Sequence, residues 1–394
     1  MMTALLAPTF PKIFEGSFVH WPIPDGKNRA SGTAQISAMN DAEAVLCWLS
    51  EYTGSPNTVV SYRKEAERFM LWLAETWRGI SDVSREDILR YTLFLADPQP
   101  AVKWCGPRRA RTHAEWKPFV HGLQPGAIHH TMLCLQSLFS YLVEANYLKG
   151  NPVALSRKLR RSQGQDARTS VRARLLESEI IERILAFSKN LTYPGCASLI
   201  EKRKLARSRF VMAFYLMVGA RSSEGVATYS GDLVGRRDGD ITRWYWCVVG
   251  KGGKRAEVPI PPALLPILYE YRVCFGVTGT QSKIARLPLL LPLGINVSTR
   301  TPMILDRKSL YRIIKGVLAD IALELKNEGR LEQAEVVSGA SPHWLRHAYG
   351  KWQVDHGIEL RNVMRNLRHS NMNTTMIYVD DDSNQRHKET ESIF

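Results

Sequence analysis

Cysteine is scarce in this chain, and where it occurs it forms no pattern. The six cysteines (Cys47, Cys105, Cys134, Cys196, Cys247 and Cys274) include no C-x-x-C pair, which argues against a zinc ribbon and a thioredoxin-like redox site. Cys134 and Cys247 lie inside apolar runs, the setting of a buried free thiol in a reducing compartment. Long hydrophobic runs are missing too: Phe210–Ala220, the strongest, falls far short of the roughly 20 residues that cross a bilayer. Thr3–Phe10 is interrupted by Pro8 and follows no charged segment, so a secretory signal is not expected. These absences predict a soluble, intracellular protein. Acidic residues are in short supply as well. Asp and Glu number 38 against 53 Lys and Arg, a net charge of +15. That surplus points to a polyanionic partner, nucleic acid first, because each neutralised phosphate releases a counterion; a basic but merely solvated surface is the plainer alternative.

What is present is enough for a packed protein. The 394 residues are 44% hydrophobic and 23% charged, a length and composition that suit two domains. Residues 1–40, rich in Pro, Gly and small polar residues, are expected to form an extended arm. From Asp41 the apolar spacing turns helical, with stripes over Ala42–Tyr52, Thr58–Trp77, Arg85–Leu95 and Ala127–Asn146. Residues 97–125 break that period. They hold five prolines, with Lys103, Arg108, Arg109 and Arg111 interleaved with Trp104 and Trp116, which predicts a long irregular insertion; it suits DNA contact or a solvated loop equally. Residues 157–174 carry Arg157, Lys158, Arg160 and Arg161 with little that is apolar, and are expected as a basic linker between a helical domain at 41–156 and a second domain at 175–394. In the second domain, helical stretches flank two β-rich runs, Trp244–Val249 and Arg255–Ile260, around a glycine turn. The expected fold is mainly α with a small β-sheet.

Four short segments of the second domain carry chemistry. Gly219–Glu224 ends an apolar helix and starts the next with Arg221; a half-buried guanidinium needs an anion, either Glu224 or a phosphate. Gly250–Lys251–Gly252–Gly253–Lys254 is a tight turn that projects lysines; it lacks the spacing and following helix of a nucleotide-binding loop. His343–Trp344–Leu345–Arg346–His347 puts His343, Arg346 and His347 on one helical face. No Glu stands where a zinc protease helix needs one, and the Arg repels a cation, so an anion suits this face better. The segment from His369 to Tyr378, nine positions apart, taken alone reads as packing.

In this order the four segments resemble the tyrosine recombinase (phage integrase) family: an Arg with an acid three residues on, a Gly-Lys-Gly hairpin, a His-x-Leu-Arg-His motif, and a Leu-Gly-His segment ending in Thr-Thr-x-x-Tyr. The helical domain, including Arg63 and Lys64 on its charged face, resembles the family's SAM-like core-binding domain more loosely. One residue departs from the pattern: Arg368 stands where the family has glycine, altering the turn or adding a phosphate contact.

The resemblance implies two domains that clamp DNA and a recombinase that breaks and rejoins it through a 3′-phosphotyrosine and a Holliday junction. It needs no metal and no cofactor. Tyr378 would be the nucleophile, Arg221 and Arg346 the phosphate clamp, His343 the general base, His369 a hydrogen-bond donor to the phosphate and Lys251 the general acid, with Lys254 as its understudy. Glu224 and His347 would support them. Double-stranded DNA, a tetramer of this chain and accessory DNA-bending proteins are the implied partners. A type IB topoisomerase-like enzyme and a non-catalytic DNA-binding regulator are the alternatives.

Overall fold

The computed structural model describes residues 13–14, 25–154, 175–250, 253–277, 281–294, 304–379 and 391. The expected linker residues Arg157, Lys158, Arg160 and Arg161, the hairpin Lys251 and most of the segment after Val379 lie outside them. The chain divides into two compact units, Met1–Gly164 and Gln165–Phe394. No helix among the described residues is long and apolar enough to cross a membrane.

The first unit is helical. Its helices are α1 (Asp41–Ser50), α2 (Pro56–Ala74), α3 (Arg85–Ala96), α4 (Ala101–Trp104) and α5 (Pro125–Glu144), and α1 and α3 start where the sequence supplies a side-chain cap. Asn40 accepts from the Glu43 amide at the head of α1, and Ser84 with Asp87 closes a capping box on α3, each satisfying amides the helix leaves unpaired. Their apolar faces meet in a core built largely of rings. Trp48 stacks on Tyr62 at 5.0 Å, and Phe69 meets Tyr91 edge-on at 4.9 Å.

Two expectations for this unit are corrected. Residues 25–40 are not a free arm where they are described. Arg29 pairs with Leu148, its guanidinium lies 3.3 Å from the Tyr147 ring centroid, and the Lys149 amide donates to Asn28 O at 2.8 Å. Nor are residues 97–125 an irregular insertion throughout. They contain α4, and Trp104 and Phe119 are buried in the core, held by a bridge between Cys105 and Phe119. The aromatic rings that suggested base stacking place their apolar area inside the unit, where it is worth more than at a wet surface.

The second unit surrounds helix α7 (Leu199–Val218), whose C-terminal half is buried on every side. Helices α6 (Ser178–Lys189), α9 (Leu264–Cys274), α11 (Arg307–Asn327) and α13 (Pro342–Asp355) lie in the same core cluster, and the short helices α8 (Ser222–Ala227), α10 (Gln281–Ala285), α12 (Leu331–Gly339) and α14 (Leu360–Leu367) join them. Strands β1 (Leu233–Asp238), β2 (Ile241–Val249) and β3 (Arg255–Ile260) form an antiparallel sheet in that order. Register sets Trp246 of β2 opposite Leu233 and Val258. Its fully buried indole donates to Thr228 Oγ1 at 3.1 Å. The mainly helical fold with a small sheet is thus as expected, with β1 added. That strand, Leu-Val-Gly-Arg-Arg-Asp, is exposed along most of its length and shows no apolar alternation to read.

The cap of α3 yields a measurable stability term. Asp87 receives both ends of the Arg78 guanidinium at 2.5 Å and the Ser84 amide at 2.8 Å. Burial alone would raise its carboxyl; the bonds from Arg78 and Ser84 hold it at about 2 instead. A folded value below the usual one near 4 gives stabilisation that is complete above that value and lost as pH falls through about 2. Asp87→Ala is expected to destabilise the chain by about 2–4 kcal/mol in denaturant titrations at pH 7, with the gap to wild type narrowing as the pH is lowered. An unchanged midpoint at pH 7 would contradict this.

Candidate active site

The site begins where α7 stops. Gly219 caps the helix at φ 62°, and a Cβ there would sit 2.2 Å from Tyr349 Cδ1, so the turn and the close approach both require glycine. The chain reverses and Arg221 heads α8. Glu224, one turn on, accepts from the Arg221 amide at 2.9 Å and from Arg221 Nη1 at 2.6 Å. Of the two anions the sequence allowed for Arg221, Glu224 is therefore present, yet the side chain keeps 35% of its surface exposed.

Helix α13 contributes the second guanidinium. Arg346 is only 2% exposed; it donates Nη1 to Gly219 O at 2.6 Å and Nη2 to Leu367 O. Those two carbonyls are the ends of α7 and α14, where helix C-termini present partial negative charge. After α14 the chain turns through Arg368, at φ 55°, and delivers His369, whose Nδ1 lies 3.0 Å from the buried Thr375 Oγ1. A 3-10 turn, Met376–Tyr378, then brings Tyr378 back against α13.

Tyr378 is 1% exposed, and its ring lies over Gly350, where a Cβ would come within 2.6 Å of it. Its hydroxyl bonds to His347 Nδ1 at 2.8 Å. His343, at the exposed start of the same helix, packs edge-on against His347 with ring centroids 4.4 Å apart. The resemblance gave His343 the role of general base and His347 a supporting one; here His347 bonds directly to the phenol. The i, i+4 spacing was legible, but which of the two faces the tyrosine depends on how the last turn folds back.

The electrostatics are those of an anion site. Burial first, then the charges of Arg221 and Arg368, push Arg346 down to about 9. Burial, with Arg346 and Arg221 next, lowers His369 to about 3, which leaves it neutral. Burial would raise Glu224, but the charge of Arg368 and bonds from both arginines keep it lowered and ionised. Burial lifts the Tyr378 phenol to about 12, with Arg346 pulling the other way. A negatively charged group seated here would relieve the crowding of cations.

Arg221, Arg346, His347, His369, Glu224 and Tyr378 are thus brought together in the second unit. Lys254 is exposed just after the β2–β3 turn, which Gly250 closes by donating to Lys254 O at 2.8 Å. The candidate DNA contacts of the first unit are engaged internally: Arg63 donates to Phe14 O at 3.1 Å, Lys64 pairs with Glu65, Lys103 with Glu75, Arg109 with Glu115 and Arg111 with Glu67. Arg108 is exposed. The sequence reading missed an open cleft of about 620 Å³ beside His343, lined by Ser222, Arg307, Lys308 and Arg312. The adjacent cations at the head of α11, after the Asp306 cap, were its only signal. Among the described residues no cluster of His, Cys, Asp and Glu could hold a metal ion.

The chain is similar to known proteins over most of its length. The pattern of the phage integrase family matches residues 174–385. The tyrosine recombinase XerC of Herpetosiphon aurantiacus is 24% identical over 345 residues, 86% of this chain and 89% of that protein. The tyrosine recombinase XerD of Haemophilus ducreyi is 25% identical over 337 residues, 84% and 89% of the two chains. Among solved structures, the XerH site-specific recombinase in a post-cleavage complex with difH substrate superposes with a TM-score of 0.57 at 17% identity, covering 92% of this chain and 91% of that one. The Tn1549 transposon integrase with circular intermediate DNA gives 0.53 at 13% identity, covering 90% and 99%.

The seat of Tyr378 makes a prediction that needs no assay of activity. Gly350→Ala forces a methyl against the Tyr378 ring and Leu367, and is expected to cost about 1–3 kcal/mol. Gly316→Ala, in α11 with nothing within 4 Å of its would-be Cβ, should instead be neutral or stabilise by about 0.5–1 kcal/mol. Equal thermal shifts in the two variants would show that the ring does not rest on Gly350.

Proposed function

The chain belongs to the phage integrase family and is a tyrosine site-specific recombinase, and from that premise we propose how its residues divide the work on DNA. The observation that carries this reading is the grouping of two guanidiniums, Arg221 and Arg346, with a tyrosine whose hydroxyl already bonds to a histidine.

A DNA phosphodiester repels nucleophiles by its charge. Arg221 and Arg346 hold its non-bridging oxygens and stabilise the charge that develops on the pentacoordinate phosphorus. The Tyr378 oxygen attacks phosphorus in line, the phenol proton passes to His347 with His343 behind it, and the bond to the 5′-oxygen breaks. That oxygen takes a proton from Lys251, carried on the hairpin, with Lys254 as the alternative donor. The neutral His369 donates a hydrogen bond to the phosphate. The products are a 3′-phosphotyrosine and a free 5′-hydroxyl; the phosphotyrosyl bond keeps the energy of the broken linkage, and attack by a 5′-hydroxyl of a partner strand reverses the step without ATP.

The basic cleft at Arg307, Lys308 and Arg312 lies beside this site, and its chemistry fits the phosphate backbone of the duplex. Strand exchange between two duplexes requires several active sites at once, and a tetramer of this chain passing through a Holliday junction supplies them. Integration, excision and resolution of a mobile element are all served by that sequence of steps. The intact site weighs against a non-catalytic DNA-binding regulator, and the similarity to XerC and XerD weighs against a topoisomerase.

A nicked suicide substrate carrying the cognate site tests the assignment. Wild type should accumulate a covalent protein–DNA adduct and Tyr378→Phe none; an adduct that survives in the variant means another residue attacks. Arg346→Ala should lower the cleavage rate by at least about 100-fold while keeping most of the affinity for the site. Affinity lost in step with cleavage would reduce Arg346 to an anchor.

A further inference from the structure

Arg368 occupies a backbone conformation that suits glycine. At φ 55° a residue with a Cβ pays about 1–2 kcal/mol, so its side chain has to offset a cost. That side chain does not turn outward to add a phosphate contact. It is only 5% exposed, its guanidinium lies 4.9 Å from the centroid of the Trp246 ring, and it donates to Glu224 Oε2 at 2.7 Å, to Gly219 O at 3.2 Å and to Asn366 O at 2.7 Å.

Two of those acceptors are shared. Glu224 takes Arg221 Nη1 on Oε1 and Arg368 on Oε2. Gly219 O takes Arg346 Nη1 as well as Arg368 Nη2. The carbonyl of Arg368 in turn accepts from Arg221 Nη2 at 3.2 Å. One residue therefore touches the partners of both clamp arginines and, through its carbonyl, one of the two directly.

We propose that Arg368 is a positioning residue for strand cleavage, bracing Glu224 and the Gly219 carbonyl so that Arg221 and Arg346 are held as a preset pair before DNA arrives. The inference rests on the reading of those two arginines as the phosphate clamp. It also has a charge consequence. With Glu224 and Arg221 alone, the carboxylate cancels the cation. Arg368 supplies a second countercharge, so three guanidiniums and one carboxylate leave a net +2. Attack of a phenolate on a phosphodiester monoanion gives a phosphorane with two negative charges, which that balance matches.

The test is single-turnover cleavage of the nicked substrate by the full chain, with affinity for the site and melting temperature measured alongside. Arg368→Gly keeps the backbone turn and its carbonyl but removes the brace. Its cleavage rate is expected to fall about 10- to 100-fold, with affinity for the site within about twofold and the melting temperature little changed, since relief of the left-handed turn offsets the lost bond to Glu224, which keeps Arg221. Arg368→Lys, which keeps one donor and the charge, should recover part of the rate. In a Glu224→Gln background, Arg368→Gly should add a smaller loss than in wild type, because the contact through Glu224 is already weakened and only the one to Gly219 O remains to be lost. A wild-type rate in Arg368→Gly overturns the proposal, and so does a loss matched by an equal fall in affinity or in melting temperature. A wild-type chain that forms no adduct overturns the functional reading, and this inference with it; a wild type that cleaves no faster than Arg368→Gly overturns the inference alone.

Discussion

A buried carboxylate shared between two guanidiniums is the contact on which the second unit's site depends. Glu224 is costly to bury alone, and so are Arg346 and Arg368. Glu224 and Arg368 become tolerable because they pair with each other, with Arg221 on the second carboxylate oxygen, and Arg346 because the open ends of α7 and α14 supply it with carbonyls. The arrangement is deliberately unbalanced: cations outnumber the anion, and Arg346 bears the strain as a depressed pKa. A site with a surplus of desolvated positive charge is preorganised for an anion, and its dipoles need not reorient when charge builds on phosphorus. The cost of that preorganisation falls on folding, where the large apolar cluster around α7 covers it.

Most of this site was legible in the sequence because it rests on local geometry. The i, i+3 and i+4 spacing put His343, Arg346 and His347 on one face, and the apolar run before Gly219 placed Arg221 at a helix start. What was not legible is how separate segments meet. The choice between His343 and His347 turns on where the 3-10 turn at Met376–Tyr378 lands. The direction taken by Arg368 turns on Glu224 and Trp246, the first 144 positions away in sequence. Nothing near position 368 announces either neighbour.

In the first unit the two errors have separate causes. Tryptophan beside arginine reads equally well as a stacking platform and as a core residue with a cationic neighbour. In residues 97–125 the second reading holds: Trp104 and Phe119 go inside, and Arg68 lies over the Phe119 ring while donating to Pro118 O. Residues 25–40 lack the periodicity that reveals a helix, because their attachment to Tyr147–Gly150 is made by backbone and asparagine bonds, which leave no pattern in apolar spacing. Helices capped by their own sequence were found; segments held by distant backbone were not.

Tyr378 is at once a reagent and a piece of the core. Its ring fills a space shaped by Gly350 and Leu367, while its oxygen alone faces His347. Packing and reactivity are therefore divided within one side chain, ring from hydroxyl. The tolerance of this position to change is correspondingly narrow. Smaller residues forfeit the chemistry and open a void together, larger ones collide with α13, and phenylalanine separates the two losses by a single atom. Among sequences sharing this fold, one that has abandoned cleavage but must still fold has an inexpensive route through that one substitution, so the aromatic ring can outlast the activity it once served.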